Sequence, residues 1–242
     1  MSQVAPMAPA EPAELSPAVE LDHVRFRYKG RPDILQIPSL VIARHERIFL
    51  YGPSGSGKTT LLGLLAGVLR ATEGSVRVLG HNLTALSARQ RDVFRGAHIG
   101  YIFQLFNLIT YLNVEENILL PCRLHRERRT RLGGQSLQAA ALAVATRLGI
   151  APLLHQRVTN LSVGEQQRVA AARALVGAPE VILADEPTSS LDYDHRQRFL
   201  ELLFECGEEA GSTLIFVSHD RTLMPLFHRA VSLQEINHVR AA

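Results

Sequence analysis

The sequence predicts an α/β fold: a core with a mainly parallel sheet, an N-terminal antiparallel β subdomain and a helical subdomain. Three observations lead to this prediction. The short apolar run Ile48–Tyr51 precedes a glycine-rich loop and a leucine-rich helix. Two further apolar runs end in polar residues, at Asp185 and at His219. Short apolar runs bounded by turn residues are typical of the buried strands of a parallel sheet.

The glycine-rich loop matches the spacing G-x-x-x-x-G-K-[ST] of a phosphate-binding loop. Because it follows a strand and opens a helix, its backbone N–H groups and the helix N-terminus are expected to hold an anion. Lys58 offers a charge to the β- and γ-phosphates, and Thr59 offers Mg²⁺ a hydroxyl oxygen. A simple Gly/Ser turn is the alternative, which the complete spacing disfavours. The predicted nucleotide contacts in this stretch are Gly52, Ser54, Gly55, Ser56, Gly57, Lys58, Thr59 and Thr60.

Length and composition limit the classes of protein to which the chain can belong. Its 242 residues suffice for one large α/β domain or two small lobes. A net charge of +3 is too small to indicate a nucleic-acid-binding protein. We find no apolar run long enough to span a bilayer and no secretory signal, and Cys122 and Cys206 fit no zinc or disulfide spacing. We therefore expect a cytoplasmic protein that serves a membrane, if at all, from its surface.

The N-terminal part is predicted to be a loose arm followed by antiparallel strands. Residues 1–18 are rich in Ala and Pro and show no hydrophobic period, which is typical of disorder. Residues 19–242 are expected to form one domain. It opens with an alternating strand at Val19–Tyr28, a turn and a second strand near Leu40–Ile42.

The middle of the chain is predicted to change from alternating strands and helices to a helical subdomain. A strand at Ser75–Leu79, a polar helix at Ser87–Phe94 and a strand at Ile99–Phe103 come first. Residues 113–160 then read as the helical subdomain, with helices at Asn113–Leu120 and Gln135–Leu148. The arginine-rich residues 125–134 between these helices are interpreted as a solvated loop, in preference to a surface that faces lipid headgroups.

A further helix is predicted to begin at Leu161–Glu165 and to run to about Val176. Ser162 and Glu165 fit a capping box, and the same helix N-terminus can present Ser162 and backbone N–H groups to an anion. Both interpretations can hold, because a helix N-terminus has more donors than one cap satisfies. The last predicted elements are a strand at Val181–Ala184, a helix at Tyr193–Ala210 and a strand at Thr213–Val217.

Four polar side chains follow the predicted buried strands, where α/β sheets place their ligands. Asp185 can hold Mg²⁺, and the adjacent Glu186 can polarise a water molecule. His219 can donate to a γ-phosphate oxygen, and Gln104 can bind Mg²⁺ through its amide oxygen. Each has a structural alternative, such as a capped strand end. The functional interpretation of the four residues is stronger when they are taken together, because these strand ends should meet at one edge of one sheet.

Together these residues resemble the ATP-binding subunit of an ABC transporter, over nearly the whole chain from Val19 to about Leu233. The motifs arrive in the order of that family: the adenine-stacking aromatic Tyr28, the Walker A loop Gly52–Thr59, the Q-loop residue Gln104, the signature Leu161–Glu165, Walker B Asp185 with the catalytic Glu186, the D-loop Ser189–Asp192 and the switch residue His219.

The resemblance implies a P-loop nucleotide-binding core that binds ATP and Mg²⁺ and hydrolyses the ATP. It implies catalysis by Glu186, His219, Gln104 and Lys58, and Mg²⁺ ligation by Thr59, Gln104 and Asp185. It adds Tyr28, Ser162, Gly164 and Glu165 to the nucleotide contacts. Two copies would sandwich two ATP molecules head to tail, so that each signature helix completes the partner's site.

Three stretches are similar to the lipoprotein-release and macrolide-export branch (LolD/MacB-like), of which the cell-division ATPase is a close relative. They are Phe103–Leu108, Glu116–Pro121 and Leu183–Thr188. The resemblance implies a helical subdomain that docks against an integral membrane permease at the cytoplasmic face of the inner membrane. A soluble ABC ATPase that acts on DNA or ribosomes is one alternative. A nucleotide-gated module that barely hydrolyses ATP is another.

Three features depart from the family pattern. Val163 stands where the signature usually has Gly, which bears on the rate of hydrolysis. His45 occupies a turn position where the family often has Gly, and His tolerates a positive φ better than most other residues. The tail after Leu233 lacks the usual Gly-containing turn.

Overall fold

A computed structural model describes residues 16–189 and 191–239 of the chain. Most of the expected N-terminal arm, residues 1–15, lies outside this range, as do Ser190 of the expected D-loop and residues 240–242. The strands are β1 (Val19–Phe26), β2 (Leu35–Ile42), β3 (Arg47–Tyr51), β4 (Glu73–Val78), β5 (His81–Asn82), β6 (Ile99–Ile102), β7 (Val181–Asp185), β8 (Thr213–Val217) and β9 (Arg229–Ser232).

Eight α-helices are found in the described residues, four of them in succession between β6 and β7. They are α1 (Lys58–Leu65), α2 (Ala88–His98), α3 (Val114–Leu124), α4 (Arg126–Thr130), α5 (Leu137–Arg147), α6 (Val163–Leu175), α7 (Tyr193–Glu209) and α8 (Leu233–Ile236). Short 3₁₀ helices cover Ala151–Leu153, Val158–Asn160 and Arg221–Leu226. Within the described residues, no helix is both long and apolar enough to cross a bilayer.

Two sheets organise the chain. A four-stranded antiparallel sheet has the order β2-β1-β4-β5, and a five-stranded parallel sheet has the order β6-β7-β8-β3-β9. Every residue of β7 and β8 is buried, as expected for strands covered on both faces. The predicted α/β fold with its N-terminal antiparallel part is confirmed. Because all strands of the second sheet run the same way, their carboxyl ends share one edge.

Strand β2 begins at Leu35, five residues before the sequence prediction. Leu35 and Ile37 are buried and pair with β1, but Pro38 interrupts the apolar alternation on which the prediction depended. Strand β2 lies at the edge of its sheet, where a missing backbone N–H is tolerated.

Helix α3 begins as predicted but ends later. Asn113 caps it in a full capping box with Glu116. The helix continues through Pro121 to Leu124, so the prediction that it ends at Leu120 is wrong by one turn. Burial of Cys122 against the helical core accompanies this last turn and outweighs the weak helix preference of proline.

The interpretation of residues 125–134 as a solvated loop is wrong for its first half. Arg126–Thr130 forms α4, and Arg128 is 1% exposed, although the other residues of this helix are exposed as predicted. The Arg128 guanidinium donates to four backbone carbonyl oxygens: Ala174 at 3.1 Å, Val176 at 2.6 Å, Ile99 at 2.7 Å and Gly96 at 3.3 Å. These carbonyls lie at the C-terminal ends of α6 and α2 and at the start of β6. A cation is favoured there by the helix dipoles, and burial lowers the pKa of Arg128 to about 10.

Candidate functional site

The phosphate loop joins β3 to α1 through two glycines with positive φ. Gly55 has φ 78° and Gly57 has φ 99°, a region in which side chains other than glycine are strained. A Cβ on Gly57 would also lie only 2.8 Å from the Leu35 side chain. No side chain of the described residues caps α1, so the N–H groups of its first turn are open to an anion.

Polar groups of the loop turn inward with their hydrogen bonds only partly satisfied. The Lys58 ammonium donates to the carbonyl oxygens of Gly52 at 2.9 Å and Pro53 at 3.0 Å. It has three donors and can redirect them to a phosphate. The Ser56 hydroxyl is buried and has no hydrogen-bond partner among residues 16–189 and 191–239. A buried hydroxyl without a partner fits a loop that binds a phosphate.

Two adjacent carboxylates close the site from the end of β7. Asp185 is the last residue of the strand, and the Thr59 side chain is hydrogen-bonded to it. Burial raises the pKa of the Asp185 carboxyl; the hydrogen bond with Thr59 opposes this effect, and the charge of Glu186 adds to it. Hydroxyl and carboxylate oxygens that meet at a buried anionic position fit a divalent cation such as Mg²⁺.

Glu186 is held in an uncommon backbone conformation. Its φ is 45°, and its N–H donates to the carbonyl oxygen of Val217 at 3.0 Å. Nδ1 of His219 lies 3.0 Å from Oε2 of Glu186. Strain of this kind is often found at functional positions. A proton on Nδ1 of His219 would donate to Glu186 and leave the carboxylate able to accept a proton from water.

These groups surround one cavity of about 520 Å³. The residues that line it come from the phosphate loop, the ends of β6, β7 and β8, and the start of β2. They are Ile34, Ser54, Gly55, Gly57, Lys58, Thr59, Thr60, Gln104, Asp185, Glu186 and His219. The structure thus brings together the four predicted catalytic residues and the three predicted Mg²⁺ ligands. Two predicted contacts, Gly52 and Ser56, are not among the described residues that line the cavity, and a Cβ on Gly52 would approach the Ser56 hydroxyl to 2.8 Å.

Tyr28 and Ile34 differ from the sequence expectation. Tyr28 is not among the described residues that line the cavity; it is 45% exposed and stands edge-on to Phe26, with the ring centroids 4.9 Å apart. Ile34 lines the cavity, although it belongs to no motif. The sequence contains one indication that Ile34 would reach the nucleotide cavity: it closely follows the turn after Tyr28, the predicted adenine contact.

The predicted capping box at the start of α6 is present. The backbone N–H of Ser162 donates to the Glu165 carboxylate at 2.8 Å, and the Ser162 hydroxyl accepts from the Glu165 N–H at 3.4 Å. Val163 is 49% exposed. Among the described residues that line the cavity, we find neither these residues nor Gly164. Within one chain, the start of α6 therefore contributes nothing to the nucleotide cavity.

Comparison with known proteins assigns the family. The family described as ABC transporter matches residues 35–189. The chain is 41% identical over 200 residues to the uncharacterized ABC transporter ATP-binding protein YbbA of Escherichia coli (strain K12), covering 83% of this chain and 86% of the relative. It is 38% identical over 227 residues to the lipoprotein-releasing system ATP-binding protein LolD of Anaeromyxobacter dehalogenans (strain 2CP-C), covering 93% of each.

Comparison with solved structures supports the same family assignment. The dimeric structure of MJ0796, described as a bacterial ABC transporter cassette, has a TM-score of 0.79 at 33% identity and covers 88% of this chain and 93% of that one. A dimeric post-hydrolysis state of the same cassette, bound to ADP and Pi, gives the same values. The chain therefore belongs to the ABC transporter family of ATP-binding cassettes, in its LolD-like branch.

Proposed function

We propose that this chain is the ATP-hydrolysing subunit that powers a membrane ABC transporter or a mechanotransmission complex, through closure of an ATP-bound dimer. One observation carries this proposal. The phosphate loop, both carboxylates, Gln104 and His219 line a single cavity at the carboxyl edge of the parallel sheet. Membership of the family supports ATP binding and hydrolysis, and supports a role as subunit of a membrane transporter.

In the proposed reaction, water attacks the γ-phosphate in line and Glu186 accepts its proton. The oxygens of Thr59, Gln104 and Asp185 would hold Mg²⁺, which neutralises charge on the phosphates. Lys58 and the N–H groups of the loop orient the β- and γ-phosphates. His219 lies against Glu186 and can donate to the transferring group from its other nitrogen. Phosphoryl transfer depends mainly on such positioning and charge stabilisation.

A second copy of the chain completes the site in this proposal. The first turn of α6 has more backbone N–H groups than its capping box satisfies, and Val163 at its start is 49% exposed. Ser162 and Gly164 of one copy would face the γ-phosphate held by the other, head to tail. Both structures of the similar cassette MJ0796 are described as dimeric, which supports a dimer.

The permease would dock near the helical subdomain, which we place at residues 113–160 of an ATPase domain that spans residues 19–242. Leu105 and Tyr111 follow Gln104 in sequence and are 83% and 85% exposed. Large exposed apolar side chains often mark interaction surfaces. A protein contact there would place the chain on the cytoplasmic face of the inner membrane, as a peripheral subunit.

Replacing the proposed base tests the proposal. Glu186→Gln keeps the shape but cannot accept the proton, so hydrolysis should fall by about 10²–10⁴ or more while ATP binding persists. The variant should elute as a dimer in ATP on a sizing column, whereas Lys58→Ala should lose ATP binding. Glu201→Gln, an exposed position on α7, is the matched control. Turnover by Glu186→Gln at a rate near that of the unmodified protein would show that another group is the base.

Two rival functions predict other outcomes. A nucleotide-gated module would close on ATP but turn over slowly, both alone and with its membrane partner. A cell-division-type ABC ATPase would show the same site chemistry with a different partner. Turnover measured with and without the membrane protein that co-purifies from detergent extracts separates the nucleotide-gated module from the proposed function. Identification of that co-purifying protein separates the cell-division type.

A further inference from the structure

The segment that joins β6 to α3, residues 103–112, contains Gln104 and forms neither a helix nor a strand. It begins with a tight turn, in which the N–H of Phe106 donates to the carbonyl oxygen of Phe103 at 3.0 Å. Gln104 is the second residue of this turn and lines the nucleotide cavity. Its side chain has no hydrogen bond to another residue in the described part of the chain. The backbone of the turn therefore decides where the Gln104 amide lies.

Two residues of this turn have an unfavourable backbone conformation. Phe106 has φ 60° and Asn107 has φ 49°. The Asn107 N–H donates back to the carbonyl oxygen of Leu105 at 2.6 Å, which closes a three-residue turn around Phe106. A positive φ is an outlier for a bulky residue, and a three-residue turn with positive φ at its centre is strained. Such strain persists only where the surrounding structure imposes it.

Arg173 of α6 makes the contact that imposes this conformation. Its guanidinium donates to the carbonyl oxygens of Phe106 at 2.6 Å and Asn107 at 2.7 Å. Arg173 is 9% exposed, and burial lowers its pKa with no opposing contribution from a carboxylate of the described residues. Because a guanidinium holds its N–H groups in a rigid fork, two bonds to adjacent carbonyls set both the position and the orientation of the turn.

The other end of the segment is held by α3 through a second buried polar side chain. Asn117 is 0% exposed. Its Oδ1 accepts from the N–H of Ile109 at 2.8 Å, and its Nδ2 donates to the carbonyl oxygens of Ile109 and Asn113, both at 3.0 Å. Side chains of two helices thus anchor the segment at both ends, although the segment starts from a strand of the parallel sheet.

We propose that Arg173 is a positioning residue for ATP hydrolysis, which fixes the turn at Phe106 and Asn107 and thereby holds Gln104 in the nucleotide cavity. This inference rests on the proposed function, in which Gln104 helps to hold Mg²⁺. Arg173 is not among the described residues that line the cavity, so it acts through Gln104 alone. Without the guanidinium, the strained turn relaxes and Gln104 is displaced, while the phosphate loop keeps its shape.

Steady-state kinetics tests the positioning role. Arg173→Met keeps the aliphatic stem and removes the donors, so kcat should fall roughly 10- to 100-fold, because small misplacements at a reacting centre cost this much. KM for ATP should change by less than about twofold, since the phosphate loop still binds the nucleotide. Arg173→Lys, which retains a donor for one carbonyl, should recover part of kcat. A rise in KM at unchanged kcat would overturn the proposal.

Arg131→Met is the matched control. The Arg131 guanidinium is also partly buried and donates to the carbonyl oxygen of Ala97 at 2.5 Å and to Glu180 at 2.7 Å. Glu180 precedes β7, whereas the nucleotide cavity lies at the other end of that strand. Arg131→Met should lower the melting temperature but leave kcat near that of the unmodified protein. Equal falls of kcat in the two Met variants would show general destabilisation and refute the positioning role.

A double-mutant cycle separates this inference from the proposed function. If Arg173 acts through Gln104, Arg173→Met should slow the Gln104→Ala protein by less than about twofold, because coupled residues are not additive. Losses that multiply would refute the role of Arg173 and leave the proposed function intact. Hydrolysis by Gln104→Ala at the unmodified rate would instead refute the proposed role of Gln104, and this inference with it.

Hydrogen exchange of the nucleotide-free protein reports on the turn without any activity. Amides of residues 103–112 should exchange faster in Arg173→Met than in the unmodified protein, whereas Arg131→Met should leave them unchanged. Unchanged exchange in Arg173→Met would show that other contacts hold the turn, and would overturn the proposal. Cooperative thermal melts confirm that each variant is folded. If Arg173→Met does not fold, Arg173→Lys carries the same measurements, with smaller changes in the same direction.

Discussion

The buried arginine of α4 offers a direct test of how the helical subdomain is fixed to the core. Arg128 donates to carbonyls of α2, β6 and α6. Arg128→Met retains the aliphatic stem and removes all donors. The carbonyl oxygens then remain buried with fewer partners, and α4 loses its polar link to the sheet. We expect a large loss of stability.

The magnitude follows from the contacts. Three of the hydrogen bonds, to Ala174, Val176 and Ile99, are 2.6–3.1 Å long, and the bond to Gly96 is weaker at 3.3 Å. Each unsatisfied carbonyl costs about 1–3 kcal/mol. The guanidinium no longer has to be desolvated, which recovers several kcal/mol. A net loss of about 2–4 kcal/mol corresponds to a fall in melting temperature of roughly 4–16 °C for a chain of this size.

Urea unfolding and thermal melts of the isolated protein measure this change. Arg129→Met is the matched control: the next residue is exposed, so its substitution should stay within about 0.5 kcal/mol of the unmodified protein. Arg128→Lys should fall between the two, since one ammonium cannot reach all four carbonyls. If the Met variants at both positions had the same free energy of unfolding, the reasoning from this hydrogen-bond cage would be refuted.

The remaining predictions concern the nucleotide. Stacking of adenine on an aromatic ring is worth about 1–3 kcal/mol, so Tyr28→Ala should weaken ATP binding by roughly 5- to 150-fold while Tyr28→Phe changes little. Equal losses in both variants, measured by nucleotide titration, would contradict stacking. Val163→Gly should change stability by less than about 1 kcal/mol and the ATPase rate by no more than roughly tenfold, because the N–H groups and Ser162 remain. A protein that dimerises in ATP only after this substitution would show that its own signature is degenerate.

The sequence by itself determined the features whose chemistry is local. The phosphate loop is contiguous from Gly52 to Thr59, and Gly55 and Gly57 within it adopt positive φ, which glycine tolerates best. The capping box at Ser162 needs only four consecutive residues, and it formed as predicted. The meeting of Asp185 and His219 was also predictable, because the ends of buried parallel strands share one edge.

Tertiary structure decided the features that depend on distant partners. From the sequence alone, Arg128 is expected to be a surface charge. It is buried because the carbonyl oxygens of α2, β6 and α6 accept its hydrogen bonds and offset the cost of desolvating the guanidinium. Pro38 and Pro121 predict an interruption of a strand and of a helix, respectively. Strand β2 continues because it lies at the edge of its sheet, and α3 continues because its last turn packs on the core. The same holds for the contact between Arg47 and His228, which are 181 residues apart. A local pattern cannot encode their contact, because it exists only when β3 and β9 pair.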